Sequence, residues 1–405
     1  MTAGRSGDRA RDEGPVRLVH VYSSDIAIAG AMPYLRGALA RGWDVHLFCP
    51  HGPNTDIAIA EGVRWKPLAL KRALDFAGDV RGSAQLLRDL ARGRFDIVHT
   101  HNTKVGLIGR VLATVVRAPL IVHTLHGLAW SLETPEPKQT AYALAERFAS
   151  LRTDIVLAQS REDGRTMIAR HVVPEERVIH IGNGVKLGNF DLAAIPETAR
   201  LAVRAEARAA EGDVLFVQAG RMVQEKGFVE LFEAFEIAHA EEPRVRLAVA
   251  GPRDREKADA VSDAVVDRAT RAGVTFLGDR KDMPAIFAAA DVGVLVSWRE
   301  GIPRVLMEAS SVAKPLLVSD IRGCKEIVTG PDRGLRVPVK DARAIAKAMV
   351  ELARDPGARA RMGATNSEVA REQYDIDRVV ARVMAVYDEA LRARGYSNEA
   401  LHPRN

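Results

Sequence analysis

Short, unbroken apolar runs alternate with helix-period segments along the whole chain, and this alternation constrains the fold more than any other feature. In the first half the runs are VRLVHVYS (16–23), DVHLFC (44–49), FDIVHTH (95–101), LIVHTLH (120–126) and DIVLAQ (154–159). Between them, residues 30–41, 83–93, 104–117 and 136–151 place apolar side chains at helical spacing. The second half repeats the scheme with VLFVQAG (214–220), VRLAVAG (245–251), VTFLG (274–278), DVGVLVS (291–297) and PLLVSD (315–320). A strand with one wet face alternates apolar and polar residues; these runs are apolar nearly throughout, so both faces are covered. Parallel strands need long crossovers, and the intervening helices supply them. The pattern predicts an α/β protein of two doubly wound domains.

A length of 405 residues suits two cores rather than one. The turn-rich segment IGNGVKLGNFD (181–191) divides the two series, giving domains at 15–188 and 189–375. A last helix over 376–394 carries Ile376, Val379, Val380, Val383, Val386 and Leu391 at helical spacing. Residues 1–14 are polar, read as a disordered tail, and lack the apolar core of a secretory signal. The stretch VGLIGRVLATVVRAPLIV is interrupted by Arg110, Arg117 and Pro119, too polar a sequence to span a bilayer. The two cysteines, Cys49 and Cys324, are far apart and form no disulfide framework. A cytoplasmic location is expected.

Charge is unevenly placed. Residues 61–117 contain eleven Lys or Arg against five acids, whereas the whole chain has a net charge of only +5. Few aromatics interleave this segment and no nucleic-acid motif accompanies it, so nucleic acid is not an expected partner. An anionic membrane surface fits better, with an amphipathic helix near 104–117 as the docking element at the inner face of the plasma membrane. A solvated face without function reads equally well from the charges alone.

In open α/β sheets ligands bind at the carboxyl ends of the strands, so those loops identify the candidate site. In AGRMVQEKG, Gly220 and Arg221 end a strand and Lys226-Gly227 opens a helix, a recipe for holding a diphosphate. In SWREGIPRVLMEAS, Glu300 stands at a strand end, with Gly301 and Ile302 at a helix start and Pro303 as a first helical residue. Glu308 then shares a helical face with Arg304 while Val305 serves the apolar side; a ribose diol or a surface ion pair would each explain that carboxylate. His126, in HTLHGLAW, could donate to a sugar hydroxyl or be a packed strand-end histidine. His99, His101, His123 and His126 have no matching carboxylate or cysteine spacing, so no metal site is expected.

These segments resemble the retaining glycosyltransferases of family four, which have the GT-B fold. GRMVQEKG is similar to that family's diphosphate loop and REGIPRVLMEAS to its E-x7-E element, while HTHNTKVGLIGR, HTLHG, IGNGV and FLGDRKDMPAIFAAADVGVLVS match further family stretches in order. The resemblance covers residues 15 to 394 and implies two Rossmann-like domains facing a cleft, with the last helix crossing back onto the first. It implies that Arg221 and Lys226 neutralise the leaving diphosphate, Glu300 contacts the donor sugar, Glu308 binds the ribose and His126 lies on the acceptor side. Gly220, Gly301, Ile302, Pro303, Arg304 and Val305 complete the implied donor site. The loop YSSDIAIAGAMPYL departs from the Gly-Gly turn of many members, and Pro303 stands where many have glycine.

The expected activity is transfer of a hexose or N-acetylhexosamine, with retention, from a nucleotide diphosphate sugar (a UDP-sugar by preference). The acceptor would be polyprenyl-linked or saccharide, in surface polysaccharide or glycoconjugate synthesis, and no cofactor or metal is required. A UDP-N-acetylhexosamine 2-epimerase of the same fold, or a non-catalytic sugar-nucleotide binder, are the alternatives.

Overall fold

The computed structural model describes residues 14–70, 75–128, 130, 134–255, 257 and 259–402. The tail expected over 1–14 and the basic residues Lys71 and Arg72 thus lie largely or wholly outside the described residues. The first half runs β1 (Arg17–Val21), α1 (Ile28–Leu39), β2 (Asp44–Cys49), α2 (Pro53–Ala60), β3 (Arg64–Pro67), α3 (Phe76–Gly93), β4 (Ile97–His101), α4 (Thr103–Val115), β5 (Leu120–Leu125), α5 (Glu136–Ser150), β6 (Ile155–Ala158), α6 (Arg161–Ala169) and β7 (Val178–His180). The second runs α7 (Glu197–Glu206), β8 (Val214–Ala219), α8 (Phe228–Glu241), β9 (Val245–Ala250), α9 (Asp263–Ala272), β10 (Thr275–Gly278), α10 (Met283–Ala289), β11 (Val292–Leu295), α11 (Arg304–Ser311), β12 (Leu316–Ser319), α12 (Arg322–Ile327) and β13 (Gly334–Val337). Four helices close the chain: α13 (Ala342–Arg354), α14 (Pro356–Gln373), α15 (Ile376–Arg392) and α16 (Asn398–Leu401).

The strands form two parallel sheets, ordered β3-β2-β1-β4-β5-β6-β7 and β10-β9-β8-β11-β12-β13. Each carries a separate hydrophobic core on either face, as the unbroken apolar runs require. Strand order reverses between β1 and β4 and between β8 and β11, so crossovers leave those points in opposite directions and open a crevice at the carboxyl edge. Every strand expected from sequence is present. The added ones, β3, β7 and β13, are three or four residues long and, except for Gly334 and Val337, leave their side chains at least partly exposed.

The chain passes between the sheets over residues 181–196 and returns near 374–376. Val185 and Asp375 form a parallel bridge there, with Val185 N–H donating to Tyr374 O (2.8 Å) and Ile376 N–H to Val185 O (3.1 Å). α15 then crosses back onto α1 and buries Val383, Met384, Tyr387 and Leu391 in a first-domain core. Trp43 fixes the end of the chain by donating to Leu401 O at 2.9 Å. Glu326 of the second domain accepts from Ser160 Oγ, Arg161 N–H (2.8 Å) and Glu162 N–H (3.0 Å), capping the N-terminus of α6 in the first.

Helix 104–117 does not present an amphipathic face to solvent as expected. α4 packs between α3 and α5, burying Val105, Gly106, Gly109 and Ala113. Arg110, counted among the surface charges, is 0% exposed; it donates to Glu146 Oε2 (2.6 Å), Ser150 Oγ (3.1 Å) and Gly106 O (2.9 Å). The outward apolar stripe lies on α5 instead, where Leu144 and Phe148 are more than half exposed and Leu151 follows at the helix end. No helix among the described residues is long and apolar enough to cross a membrane. Removing one member of the Arg110 pair leaves an uncompensated buried charge, so Glu146→Ala should lose about 3–5 kcal/mol of stability in urea denaturation, whereas Arg110→Met/Glu146→Leu should recover most of it.

Candidate active site

Loops at the second-sheet switch point carry the expected donor residues. β8 ends at Ala219, and Gly220 and Arg221 leave it. A 3-10 turn, Gln224–Lys226, then leads into α8. Gly227 adopts φ 71, and a Cβ there would stand 2.0 Å from Val296 O, so only glycine lets this loop lie against the end of β11. That approach brings Lys226 Nζ to 2.5 Å from Glu300 Oε1, which also accepts from Ser297 Oγ at 2.7 Å. The pair is largely withdrawn from solvent, with side-chain exposures of 20% and 13%. Arg221, on the adjoining strand end, pairs with Asp254 at 3.3 Å rather than with Glu300.

Helix α11 begins at Arg304, not at Gly301. Pro303 is its N-cap with ψ 106, because the residue ahead of a regular helix holds extended backbone. Gly301 and Ile302 therefore belong to the preceding turn, and Ile302 and Val305 pack their side chains against the second-domain core. Gly301 is wedged between domains: a Cβ on it would lie 2.6 Å from His126 O, and one on Gly323 would collide with Gly301 O. The Glu300 turn and His126 consequently lie against each other across the cleft.

Glu308 is half-buried, and no hydrogen bond or ion pair reaches its carboxyl among the described residues. Desolvation raises its pKa from 4.5 to about 7, against a smaller opposing pull from Arg304. The surface pair with Arg304 that helical spacing allows is not formed. Arg304 instead points across the cleft, with Nη1 3.3 Å from where a Cβ on Gly30 of α1 would stand.

His126 has no ring nitrogen to spare for a sugar. Its Nε2 meets His101 Nδ1 at 3.1 Å and its Nδ1 meets Gln159 Oε1 at 3.1 Å. His101 Nε2 continues the chain to His20 Nδ1 at 2.9 Å, while His99 is held by Tyr387 Oη (2.5 Å) and Thr124 Oγ1 (2.7 Å). Burial holds His20, His99 and His101 neutral, well below the ordinary imidazole range. The ring nitrogens of these three lie within 4.8 Å of one another, a grouping missed in sequence because His20 sits about 80 residues from its partners. His123 projects to the other side, against Thr100 at 3.0 Å. Sequence reading also missed Tyr34, Gln159 and Asn183 as cleft residues, although Asn183 lies in IGNGV and Tyr34 in the loop YSSDIAIAGAMPYL.

The Glu308 carboxyl gives a signed pH effect. Its folded pKa (about 7) exceeds its unfolded value (4.5), so the unfolded state releases its proton first and stability falls as pH rises through this window. Glu308→Gln should match wild type in urea denaturation below pH 4.5 and exceed it by roughly 3 kcal/mol above pH 7. A difference independent of pH would refute this origin.

Comparison with known proteins follows the same division. A model of a glycosyl transferase 4-like domain matches residues 27–184, and the model of glycosyl transferases group 1 matches 200–369. The UDP-Gal:alpha-D-GlcNAc-diphosphoundecaprenol alpha-1,3-galactosyltransferase of Escherichia coli is 28% identical over 77% of this chain and 81% of its own. The capsular polysaccharide biosynthesis glycosyltransferase CapM of Staphylococcus aureus is 22% identical over 91% and 96%. Among solved structures, Anabaena HepE in complex with UDP and glucose superposes with a TM-score of 0.77 at 16% identity, covering 92% of this chain and all of that one. The lipopolysaccharide glycosyltransferase WaaG superposes at 0.70 and 15%, covering 90% and 98%. With two parallel Rossmann-like sheets facing a cleft and both family models matched in tandem, the chain belongs to the group 1 glycosyltransferases of the GT-B fold.

Proposed function

We propose that the protein transfers a hexose or N-acetylhexosamine from a UDP-sugar to a lipid-linked or saccharide acceptor, with retention, in surface polysaccharide or glycoconjugate synthesis. One observation carries this reading: Lys226 and Glu300 pair where the loops after β8 and β11 meet, and the turn after Glu300 lies against His126 of the other domain. The acceptor named for the Escherichia coli relative is lipid-linked through a diphosphate, and the structural neighbour HepE holds UDP and glucose, which supports the choice of donor and acceptor class.

In the free protein Glu300 neutralises Lys226. An incoming diphosphate competes for Lys226 with greater negative charge, and Glu300, released, turns its oxygens to the sugar hydroxyls. Arg221 can leave the half-exposed Asp254 contact to act as the second cation. First-turn N–H groups of α11, which have no carbonyl one turn earlier, add donors. Charge growing on the leaving phosphate is thus met by preorganised groups in a dry cleft, without a metal in this reading. Glu308 takes the ribose diol, whose two hydroxyls replace the water it has lost. With Glu300 turned to the sugar hydroxyls, no carboxylate serves as nucleophile in this reading, and the acceptor attacks from the face the diphosphate leaves, which retains configuration.

A peripheral cytoplasmic position at the inner membrane face fits this acceptor class. The exposed Leu144, Phe148 and Leu151 of α5, flanked by Arg147, form the apolar stripe, while Arg81, Arg88 and Arg92 on α3 supply positive charge.

Lys226→Ala should reduce turnover on the order of 10²–10³-fold while the chain keeps its native circular dichroism; near-normal turnover would remove Lys226 from the mechanism. In flotation, wild type should rise with vesicles containing anionic lipid and Leu144→Ser/Phe148→Ser should remain below, while both bind UDP equally. Flotation indifferent to lipid charge and to this variant would rule out membrane docking through α5.

A further inference from the structure

A cavity of about 270 Å³ opens at the switch point of the first sheet, behind His126, between the loops that follow β1 and β4. Its lining includes Tyr22, Tyr34, Asn102, Asn183 and Arg304 and contains no aspartate or glutamate. Arg304 is the one charged residue in that lining, and it arrives from the opposite domain. Its guanidinium stands against α1 at Gly30 and makes no hydrogen bond or ion pair among the described residues. One turn along α1, the Tyr34 hydroxyl is enclosed and also without a partner.

The two carboxamides point the same way. Asn102 holds a left-handed backbone, φ 60, and its Oδ1 accepts from Ser23 N–H (3.2 Å) and Ser23 Oγ (3.1 Å). Asn183 Oδ1 accepts from Gly184 N–H at 2.9 Å. Each oxygen is spent on a backbone N–H, which leaves both Nδ2 groups as donors. His101 offers nothing further, since both its nitrogens are engaged. The cavity therefore presents unspent donors and one unspent positive charge, with no carboxylate to receive a hydroxyl proton. A neutral sugar brings as many donors as acceptors and would find only hydroxyl and carboxamide oxygens for its protons; a phosphate brings acceptors and negative charge, which the arginine and the carboxamide N–H groups match more fully. Arginine matches phosphate oxygens with paired N–H groups, which a lysine would not. The volume lies just under the roughly 300–1,000 Å³ of pockets for drug-sized ligands, enough for a phosphate and part of the sugar that bears it.

We propose that this cavity reads a phosphate carried by the acceptor, with Arg304 as the specificity-determining cation and Tyr34 as its neutral partner, a reading that rests on the glycosyltransferase assignment of the donor side. Arg304 then serves the acceptor rather than the donor that helix α11 otherwise faces.

The test measures kcat/KM of the full chain for three acceptors bearing the same sugar: a methyl glycoside, its soluble 1-phosphate, and its diphosphate ester on a short prenol. Calorimetry measures the Kd for UDP in parallel. At least one phosphorylated acceptor should exceed the methyl glycoside by tenfold or more. Arg304→Gln should abolish that preference, Arg304→Lys should restore part of it, and Tyr34→Phe should weaken it, all with UDP affinity within twofold of wild type. A gain with the soluble monoester identifies a free sugar phosphate as the source, and a gain confined to the prenyl ester identifies the lipid carrier; both support the proposal. Equal use of the methyl glycoside would overturn it, as would an Arg304→Gln variant that loses UDP affinity and keeps its acceptor preference. Wild type that binds no UDP would overturn the choice of a UDP-sugar donor, and this proposal with it.

Discussion

The direction of a parallel sheet is the constraint on which the rest of this molecule depends. Because all strands of a sheet run one way, all its carboxyl ends share an edge, and the reversal of order at β1/β4 and β8/β11 opens one crevice in each domain. The chain crosses between domains in two adjacent segments, joined at Val185 and Asp375, and α15 seals the return against α1. The Glu326 cap on α6 and the Arg322–Asp163 bond at 2.8 Å add contacts across the same gap. Two crevices that would otherwise be independent thereby face one another.

Charge within the gap is kept available rather than spent on stability. Glu308 is half-buried without a partner, the exposed Arg304 lines a cavity without a counter-ion, and Lys226 is held by a glutamate that a diphosphate can displace. Each is unfavourable or neutral for folding, and each becomes favourable when a ligand of complementary charge arrives. Two buried arginines elsewhere in the scaffold are, by contrast, matched by acceptors. Arg110, fully buried, has three acceptors, and Arg333, also buried, donates to Asn366 Oδ1 and Tyr374 Oη at 2.9 Å each.

How much could be read in advance depended on the range of the interaction. Central strands such as β4 and β8 are buried on both faces and are apolar throughout, so their sequences announce them. β3 (RWKP) and β13 (GLRV) lie at sheet edges, where one side needs no apolar cover, and their composition says little. The charge count over 61–117 misled for a related reason. Composition treats every arginine as exposed, whereas Arg110 lies in the interior against Glu146, and Lys66 is tied to Asp89 at 2.8 Å. Helical spacing likewise allowed an Arg304–Glu308 pair, but the crossing of the cleft gives Arg304 a longer reach toward α1.

The sequence by itself determined the α/β class, the two series of strands, the closing helix and the strand-end loops that carry Arg221, Lys226, Glu300 and Glu308, because apolar periodicity and turn residues act over a few positions. Only the tertiary structure decided which charges meet. That Lys226 holds Glu300, that Glu308 has no partner, that His126 is committed to His101 and Gln159, and that Arg304 enters the opposite domain all depend on distances between segments far apart in the chain. Local pattern fixes what each segment becomes, while electrostatic partnership follows from how the segments are brought together.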